Sequence, residues 1–231
     1  MQFTANMKLI RQRGRLGMYA SLAGLGVLVV GMIASFQQQY LWVSLLAVLL
    51  GFLLSQLGSY NLRRWGRSPR PDQVLEQALK GFDDRYHLYA WTLPAPYVLL
   101  SPQGVYCFAI RDQTGEISVT GAQWRSKFTL GRLLLLFAQE GLGNPTSEAL
   151  EYAERMDEWI KSELPDVTVR SQPVVVFINE RARLSINDPL VPVLEAKGLK
   201  KWLRGPGKGE SLKSTDYKAL ERLFDSRSGA E

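Results

Sequence analysis

The chain has 231 residues, a net charge of +6 and a sequence pI near 9.5. Its single cysteine (Cys107) and single histidine (His87) exclude a disulfide framework and a Cys/His zinc site within one chain, and we interpret His87 as structural. Residues 1–71 contain eight Lys and Arg and no Asp or Glu, whereas residues 72–231 contain 20 basic and 22 acidic residues, a net charge of −2. The larger part of the chain therefore has no general attraction for nucleic acid, although a local basic patch stays open.

Two uncharged apolar stretches lie near the N-terminus, at about residues 16–36 and 41–57. A bilayer core requires about 20 apolar residues of helix, and each helix satisfies its own backbone hydrogen bonds in lipid. A signal peptide fits the first stretch less well, because the run is long and no small-x-small cleavage site precedes Gln37. The sequence therefore predicts a transmembrane helical hairpin over residues 16–57.

Positive charge predicts the orientation of this hairpin. Four basic residues precede the first stretch and four follow the second, but the connecting loop has none. Because cytoplasmic flanks carry the excess of Lys and Arg, we expect an integral plasma (inner) membrane protein whose termini and main domain are cytoplasmic. Membrane lipids are then the first expected partners, contacted by the juxtamembrane residues Arg63, Arg64 and Arg67.

Small residues recur at four-residue spacing in both stretches. The first stretch carries Ala20 and Gly24, and the second carries Ala47, Gly51 and Ser55. Such residues let helix backbones approach closely. They predict packing of the hairpin against itself, or a contact with another integral membrane protein or a second copy of this chain.

The remaining residues predict alternating helices and strands, and therefore an α/β fold with a mixed sheet. The turn and capping signals predict a helix beginning at Asp72, a helix capped by Asn144, and a last amphipathic helix. The predicted strands are 86–93, 97–100, 105–110, 116–120, 173–178 and 191–194, with an apolar segment at 130–142 and a helical turn at 199–203.

These patterns divide the chain into five parts. They are a basic cytoplasmic N-terminus (1–15), the transmembrane hairpin (16–57), a basic juxtamembrane linker (58–71), an α/β domain (72–204), and a linker with a C-terminal amphipathic helix (205–231).

The α/β domain resembles the nuclease-related domain family called NERD over roughly residues 72–203. The resemblance is carried by the stretch Tyr97 to Tyr106, by Gly115 and Trp124, and by Asn144-Pro145 at the start of a helix. It implies a restriction-endonuclease-like fold. In that fold an Asp begins the first hairpin strand and Glu-x-Lys ends the second, so that carboxylates bind Mg²⁺ and the lysine activates water.

The resemblance places Tyr97 at the Asp position, Ala109 at the Glu position and Arg111 at the Lys position. Both carboxylates are missing, and arginine is a poor proton acceptor. We therefore expect no metal, no cofactor and no catalysis, and a scaffold or accessory subunit of a membrane assembly. The alternatives are a membrane-tethered nucleic-acid-binding protein, with nucleic acid the less favoured partner, and a divergent metal-dependent nuclease that uses Glu76, Asp83 or Asp84.

A basic cluster near the C-terminus contains Lys197, Lys200, Lys201 and Arg204. It is interpreted either as a solvated helix face or as a contact for lipid headgroups or phosphate, with Lys200 and Lys201 as the candidate residues. The glycine-rich segment 205–209 lacks the Ser/Thr and the preceding strand of a phosphate-binding loop, and is predicted to be a flexible linker.

Overall fold

The computed structural model describes residues 1–66, 68–126 and 141–229, without the side chain of residue 63. In chain order its elements are β1 (Gln2–Ala5), α1 (Met7–Ala34), α2 (Leu41–Asn61), α3 (Pro71–Leu79), β2 (His87–Ala90), β3 (Tyr97–Ser101), β4 (Gly104–Arg111), β5 (Gly115–Gly121), β6 (Gln123–Ser126), α4 (Pro145–Glu163), β7 (Gln172–Phe177), β8 (Ala182–Pro189), β9 (Val193–Glu195), α5 (Ala196–Arg204) and α6 (Ser214–Gly229). They form two compact units. Among the described residues, 7–70 make a hairpin unit, and 1–6, 71–126 and 141–229 make an α/β unit.

The hairpin unit consists of α1 and α2, joined through a short 3-10 helix, Gln38–Tyr40, and followed by a π-helical turn, Leu62–Gly66. By length and composition, both helices could cross a membrane. The helix α1 begins at Met7, inside the segment predicted to be a separate basic N-terminus, because Lys and Arg favour helix as strongly as most apolar residues do. Large apolar side chains remain exposed along both helices, among them Leu22, Ile33 and Leu46.

A six-stranded mixed sheet, in the order β1-β2-β3-β4-β7-β9, organises the α/β unit. Strands β2, β3 and β4 are antiparallel neighbours, while β1 runs parallel to β2, β7 to β4 and β9 to β7. The predicted hairpin across Ser101–Gly104 is confirmed, since Ser101 pairs with Gly104 at its turn. An α/β architecture with a mixed sheet is therefore present, as the sequence predicted.

Both faces of this sheet are covered. On one, called the α4/α6 face, Cys107 and Ala109 of β4 pack with Met156 of α4 and Phe224 of α6. On the other, the α3/α5 face, Tyr106 and Phe108 belong to a cluster with residues from α3 and α5. Because side chains alternate along a strand, a strand buried on both faces reads as a nearly continuous apolar run.

A second, three-stranded sheet has the order β6-β5-β8, with β8 parallel to β5. Its Ile117, Val119 and Ala182 join the core cluster of the α4/α6 face. The sequence analysis did not predict β8, although Ala182, Leu184 and Ile186 alternate with polar residues as in a strand. Only Ala182 is buried, Leu184 is half-buried and Ile186 is exposed, so the apolar face of this strand is short.

Two further segments differ from expectation. Residues 2–5 were assigned to a basic cytoplasmic N-terminus, but they form β1 at the edge of the large sheet. Residues 205–209 were predicted to be a flexible linker, but their backbone packs on the sheet, and buried Tyr106 donates from Oη to the Gly207 carbonyl at 2.9 Å. The apolar segment 130–142 lies outside the described residues, except for its last two positions.

Candidate functional site

The three motif positions of the resemblance do not meet on one face of the sheet. Val98 of β3 pairs with Cys107 of β4, which places Tyr97 opposite Phe108. Tyr97 and Phe108 belong to the core cluster of the α3/α5 face, whereas Ala109 belongs to that of the α4/α6 face. Tyr97 and Ala109 therefore lie on opposite faces of the sheet, since successive side chains alternate along a strand.

Tyr97 is buried among aromatic groups. Its Oη accepts a hydrogen bond from Trp91 Nε1 at 3.1 Å, and the two rings meet edge to face with their centroids 5.1 Å apart. Trp91 has a φ of 65°, which is uncommon for a residue with a side chain. The pair closes the loop between β2 and β3, so Tyr97 is accounted for by packing.

Arg111 ends β4 and is held by an acid from the neighbouring helix. Its Nη2 donates to Glu148 Oε2 at 2.6 Å, and its Nη1 donates to the Ile110 carbonyl at 2.9 Å. The Arg111 side chain is 10% exposed and that of Glu148 is 34% exposed. Tyr152 Oη also donates to Glu148, at 2.5 Å. Charge-assisted bonds of this kind are short and roughly twice as strong as neutral ones.

The helix α4 explains why an acid lies at this point. Asn144 caps the helix, with Oδ1 accepting from the Ser147 amide at 3.2 Å, and Pro145 occupies the first turn. Glu148 lies in that same first turn, where a negative charge is favoured by the helix dipole. The helix start predicted from Asn144-Pro145 is thus confirmed, and it positions Glu148, the partner of Arg111.

The acids considered as substitute metal ligands lie elsewhere. Glu76 is exposed on α3, which packs on the sheet face opposite Ala109. Asp83 pairs with Arg85 at 2.6 Å, and hydrogen bonding to Arg85 lowers the pKa of that carboxyl. Within residues 1–66, 68–126 and 141–229, no three His, Cys, Asp or Glu side chains are close enough together to hold a metal ion. The donor set at Arg111 suits an ion pair rather than Mg²⁺.

His87 joins three elements of the α/β unit. Its Nε2 lies 2.8 Å from Thr4 Oγ1 of β1, and its Nδ1 lies 3.6 Å from Asp225 Oδ1 of α6. The ring stacks on Tyr89, whose Oη donates to Asp225 Oδ1 at 2.7 Å. Burial lowers the pKa of His87, against the opposing influence of Asp225 and Glu221. These contacts fit the structural role expected of the only histidine.

The basic cluster forms one continuous surface on α5. We call this surface the basic face. It borders an open depression of about 500 Å³, which is lined by Lys197, Lys200, Lys201, Arg204, Gly205 and Pro206. Lys200 Nζ donates to the Lys80 carbonyl at 2.7 Å, and Arg204 Nη2 donates to the Gly81 carbonyl at 3.3 Å. These two cations therefore satisfy carbonyls at the C-terminal end of α3, a position that favours positive charge.

The predicted juxtamembrane contacts are described only in part. Arg64 Nη1 donates to Tyr60 Oη at 3.1 Å. Residue 67 and the side chain of residue 63 lie outside the described residues.

The small residues of the hairpin unit line the contact between its two helices. A Cβ on Gly24 would lie 2.9 Å from the Ser55 amide nitrogen and 3.0 Å from the Gly51 carbonyl oxygen. Ala20 and Ala47 are buried as well. Three further glycines, which the sequence reading missed, make equally close contacts: Gly17, Gly31 and Gly58. Gly17, Gly24 and Gly31 are seven residues apart, a helical spacing that could have revealed them.

The chain matches no family model, no curated protein and no solved structure.

Proposed function

We propose that this protein is a membrane-anchored, NERD-like domain protein that has lost catalysis and serves as a scaffold or accessory subunit of a membrane assembly. The observation that carries the proposal is the ion pair between Arg111 and Glu148. It occupies the end of β4, where the resemblance requires the Glu-x-Lys of a metal site. One carboxylate that already neutralises a guanidinium is a poor ligand for Mg²⁺ and a poor base.

The insertion of the hairpin unit between β1 and α3 supports anchoring in a membrane. Residues 1–6 and residues 71–126 belong to one folded unit, so both ends of the hairpin lie on the same side of any bilayer it enters. A cleaved signal sequence would remove β1 from the sheet, together with the bond between Thr4 and His87. The exposed apolar side chains of both helices are a poor fit to water and a good fit to lipid.

Charge supports a cytoplasmic location for the α/β unit. The basic residues flank the hairpin on the side of its two ends, and the loop between the helices is uncharged. The positive-inside rule then puts the α/β unit in the cytoplasm and the loop outside, in a plasma (inner) membrane.

The order of elements supports the restriction-endonuclease-like part of the proposal. A helix, an antiparallel three-stranded meander, a second helix and a strand parallel to β4 follow one another as α3, β2, β3, β4, α4 and β7. The small sheet of β5, β6 and β8 is an addition to that order. Arg111 keeps a position at the end of the central hairpin, while Tyr97 does not face it.

A cleavage assay separates this proposal from a divergent nuclease. The full chain is reconstituted in lipid nanodiscs and incubated with Mg²⁺ or Mn²⁺ and with linear DNA, circular DNA or RNA. The expected result is the same background cleavage for the wild type and for Arg111→Ala. Metal-dependent cleavage that exceeds the background and is lost in Arg111→Ala would overturn the proposal and make the protein an enzyme.

The subunit part has its own test. Membranes are treated with a cross-linker before mild detergent extraction, and the tagged full chain is compared with an unrelated tagged two-helix membrane protein. The expected result is an integral membrane protein, or a second copy of this chain, recovered in stoichiometric amount with the wild type alone. Recovery of only the free chain would contradict the subunit role.

A further inference from the structure

We propose that the basic face of α5 docks on anionic lipid headgroups of the membrane that holds the hairpin. The inference rests on the membrane anchoring proposed above. It adds a second, reversible attachment of the α/β unit to the lipid surface.

All the charged residues of α5 and of the glycine-rich segment 205–208 are basic. Residues 196–208 contain five Lys and Arg and no acid, in a part of the chain whose overall charge from 72 to 231 is −2. Lys197 pairs with Glu195 at 2.8 Å, with both side chains partly exposed. Lys201 is exposed and makes no ion pair within the described ranges. Anions that approach this surface therefore meet cations that are only partly neutralised.

The packing of α5 leaves Lys197 and Lys201 exposed to solvent. The helix α5 buries Ala196, Leu199 and Leu203 in the core cluster of the α3/α5 face. Because residues three and four apart share a helix face, Lys197 and Lys201 fall together on the opposite, solvent-facing side. The depression along this side is open, which suits a broad layer of headgroups better than one enclosed small molecule.

Two of the cations are held in place before any ligand arrives. Lys200 and Arg204 donate to the carbonyls of Lys80 and Gly81, and Arg204 Cζ lies 5.0 Å from the centroid of the Phe82 ring. An ammonium has three donors and a guanidinium has five, so each retains donors for phosphate oxygens. Ordering these long side chains in advance lowers the entropic cost of binding.

The glycine-rich loop after α5 does not offer its backbone to phosphate. The Gly207 amide donates to the Trp202 carbonyl at 2.8 Å, and the Lys208 amide donates to the Gly205 carbonyl at 3.0 Å. The Gly209 amide donates to Tyr106 Oη at 3.3 Å. Recognition therefore falls to the side chains, as expected for headgroup attraction rather than for a nucleotide-binding loop.

Anchoring decides between lipid and nucleic acid as the occupant. A tethered domain meets headgroups at high effective concentration, so that modest attraction suffices for docking. Each Lys or Arg close to an anionic leaflet contributes about 1 kcal/mol, a factor of about five in the docking equilibrium. A soluble polyanion has no such advantage and is repelled by the remaining negative charge of the domain.

A fluorescence experiment tests the docking. Gly198→Cys carries the dye, because a Cβ at Gly198 meets nothing within 4 Å and the native Cys107 is buried. The labelled full chain is placed in nanodiscs of pure phosphatidylcholine, or of phosphatidylcholine with one third phosphatidylglycerol, each containing a headgroup quencher. Co-elution with the discs reports anchoring, and quenching reports docking, so the two proposals fail separately.

The expected result is stronger quenching in the anionic discs. About 1 M salt should reverse it, because the Debye length is then only about 3 Å and exposed charges attract each other weakly. Lys197 and Lys201 changed together to Gln should weaken docking about fivefold per lysine. The matched control changes Lys161 and Lys218, exposed residues outside α5, to Gln and should dock like the parent.

Two outcomes would overturn the inference. One is equal quenching in the two lipid compositions. The other is tight binding of a single-stranded oligonucleotide in phosphatidylcholine discs that the basic-face variant alone abolishes, which would assign this surface to nucleic acid.

Discussion

Arg111 Nη2 lies 2.6 Å from Glu148 Oε2, a contact that joins the end of the central strand β4 to the first turn of α4. The guanidinium is almost buried, and Tyr152 Oη donates to the same carboxylate. The strand β4, the first turn of α4 and the hydroxyl of Tyr152 thus all contribute to one ion pair. This pair stabilises the junction between sheet and helix at the end of β4.

Removing the arginine should leave a partly buried carboxylate without its cation. We expect Arg111→Ala to lower the free energy of unfolding by about 2 kcal/mol, less than for a fully buried pair because Glu148 is one-third exposed. Chemical denaturation of the full chain in detergent, followed by near-UV circular dichroism, measures this. Lys197→Ala is the control, since its pair with Glu195 is exposed and far from Arg111 in the chain, and it should leave stability nearly unchanged. Equal losses in the two variants would contradict the role given to Arg111.

The hairpin offers a matched pair of glycines. A Cβ on Gly24 would lie 2.9 Å from the Ser55 amide nitrogen, whereas a Cβ on Gly26 meets nothing within 4 Å. We expect Gly24→Val to destabilise the packing of α1 on α2 by about 1–3 kcal/mol, because the added volume must push the backbones apart. Gly26→Val should leave the packing nearly unchanged. Unfolding of the full chain in micelles of increasing SDS content, followed by energy transfer between dyes on the two helices, compares them. Similar midpoints would show that Gly24 is not a close contact.

His87 should make stability depend on pH near neutrality. Burial lowers its pKa, so the unfolded chain takes up a proton at higher pH than the folded chain does. Stability is therefore highest above about pH 6.5, the ordinary histidine pKa, and falls as the pH drops from there towards the lower pKa of the folded state. Because His87 is the only histidine, His87→Gln should flatten the change in Tm between pH 7.5 and 5.5. An unchanged slope in this variant would assign the pH dependence to other groups.

The glycine-rich loop should tolerate no side chain at its centre. A Cβ on Gly207 would overlap the ring of Trp202, and the Gly207 carbonyl accepts from Tyr106. We expect Gly207→Ala to cost about 1–3 kcal/mol through overpacking. Gly198→Ala is the control, and in the helix α5 it should raise stability by up to about 1 kcal/mol. Thermal unfolding of both full-length variants decides; a stable Gly207→Ala would restore the flexible linker that the sequence predicted.

Local signals in the sequence identified most of the elements. Asn144 and Pro145 predicted a helix start that the structure confirms, because a cap acts through hydrogen bonds between near neighbours. The turn Ser101–Gly104 likewise predicted the hairpin of β3 and β4. The two apolar stretches predicted two long helices, since length and composition suffice for that conclusion.

Features that depend on partners far away along the chain were not predicted from the sequence. The four-residue strand β1 exists through its pairing with β2, more than 80 residues away. The face of Tyr97 depends on the register between β3 and β4, where a shift of one residue reverses every side chain. Glu148 was not predicted as the partner of Arg111, because the two lie 37 residues apart and no sequence spacing links them.

Side-specific cysteine labelling tests the membrane anchor most directly. Burial raises the pKa of the Cys107 thiol, so the native cysteine should stay unreactive. Gln38→Cys places a thiol in the loop between α1 and α2, and Lys161→Cys places one on the α/β unit. In right-side-out vesicles an impermeant maleimide should label the loop variant at once and the α/β-unit variant only after permeabilisation, with the reverse in inside-out vesicles. Labelling of both variants from the same side, or loss of the protein from the membrane in alkaline carbonate, would contradict a hairpin that spans the bilayer.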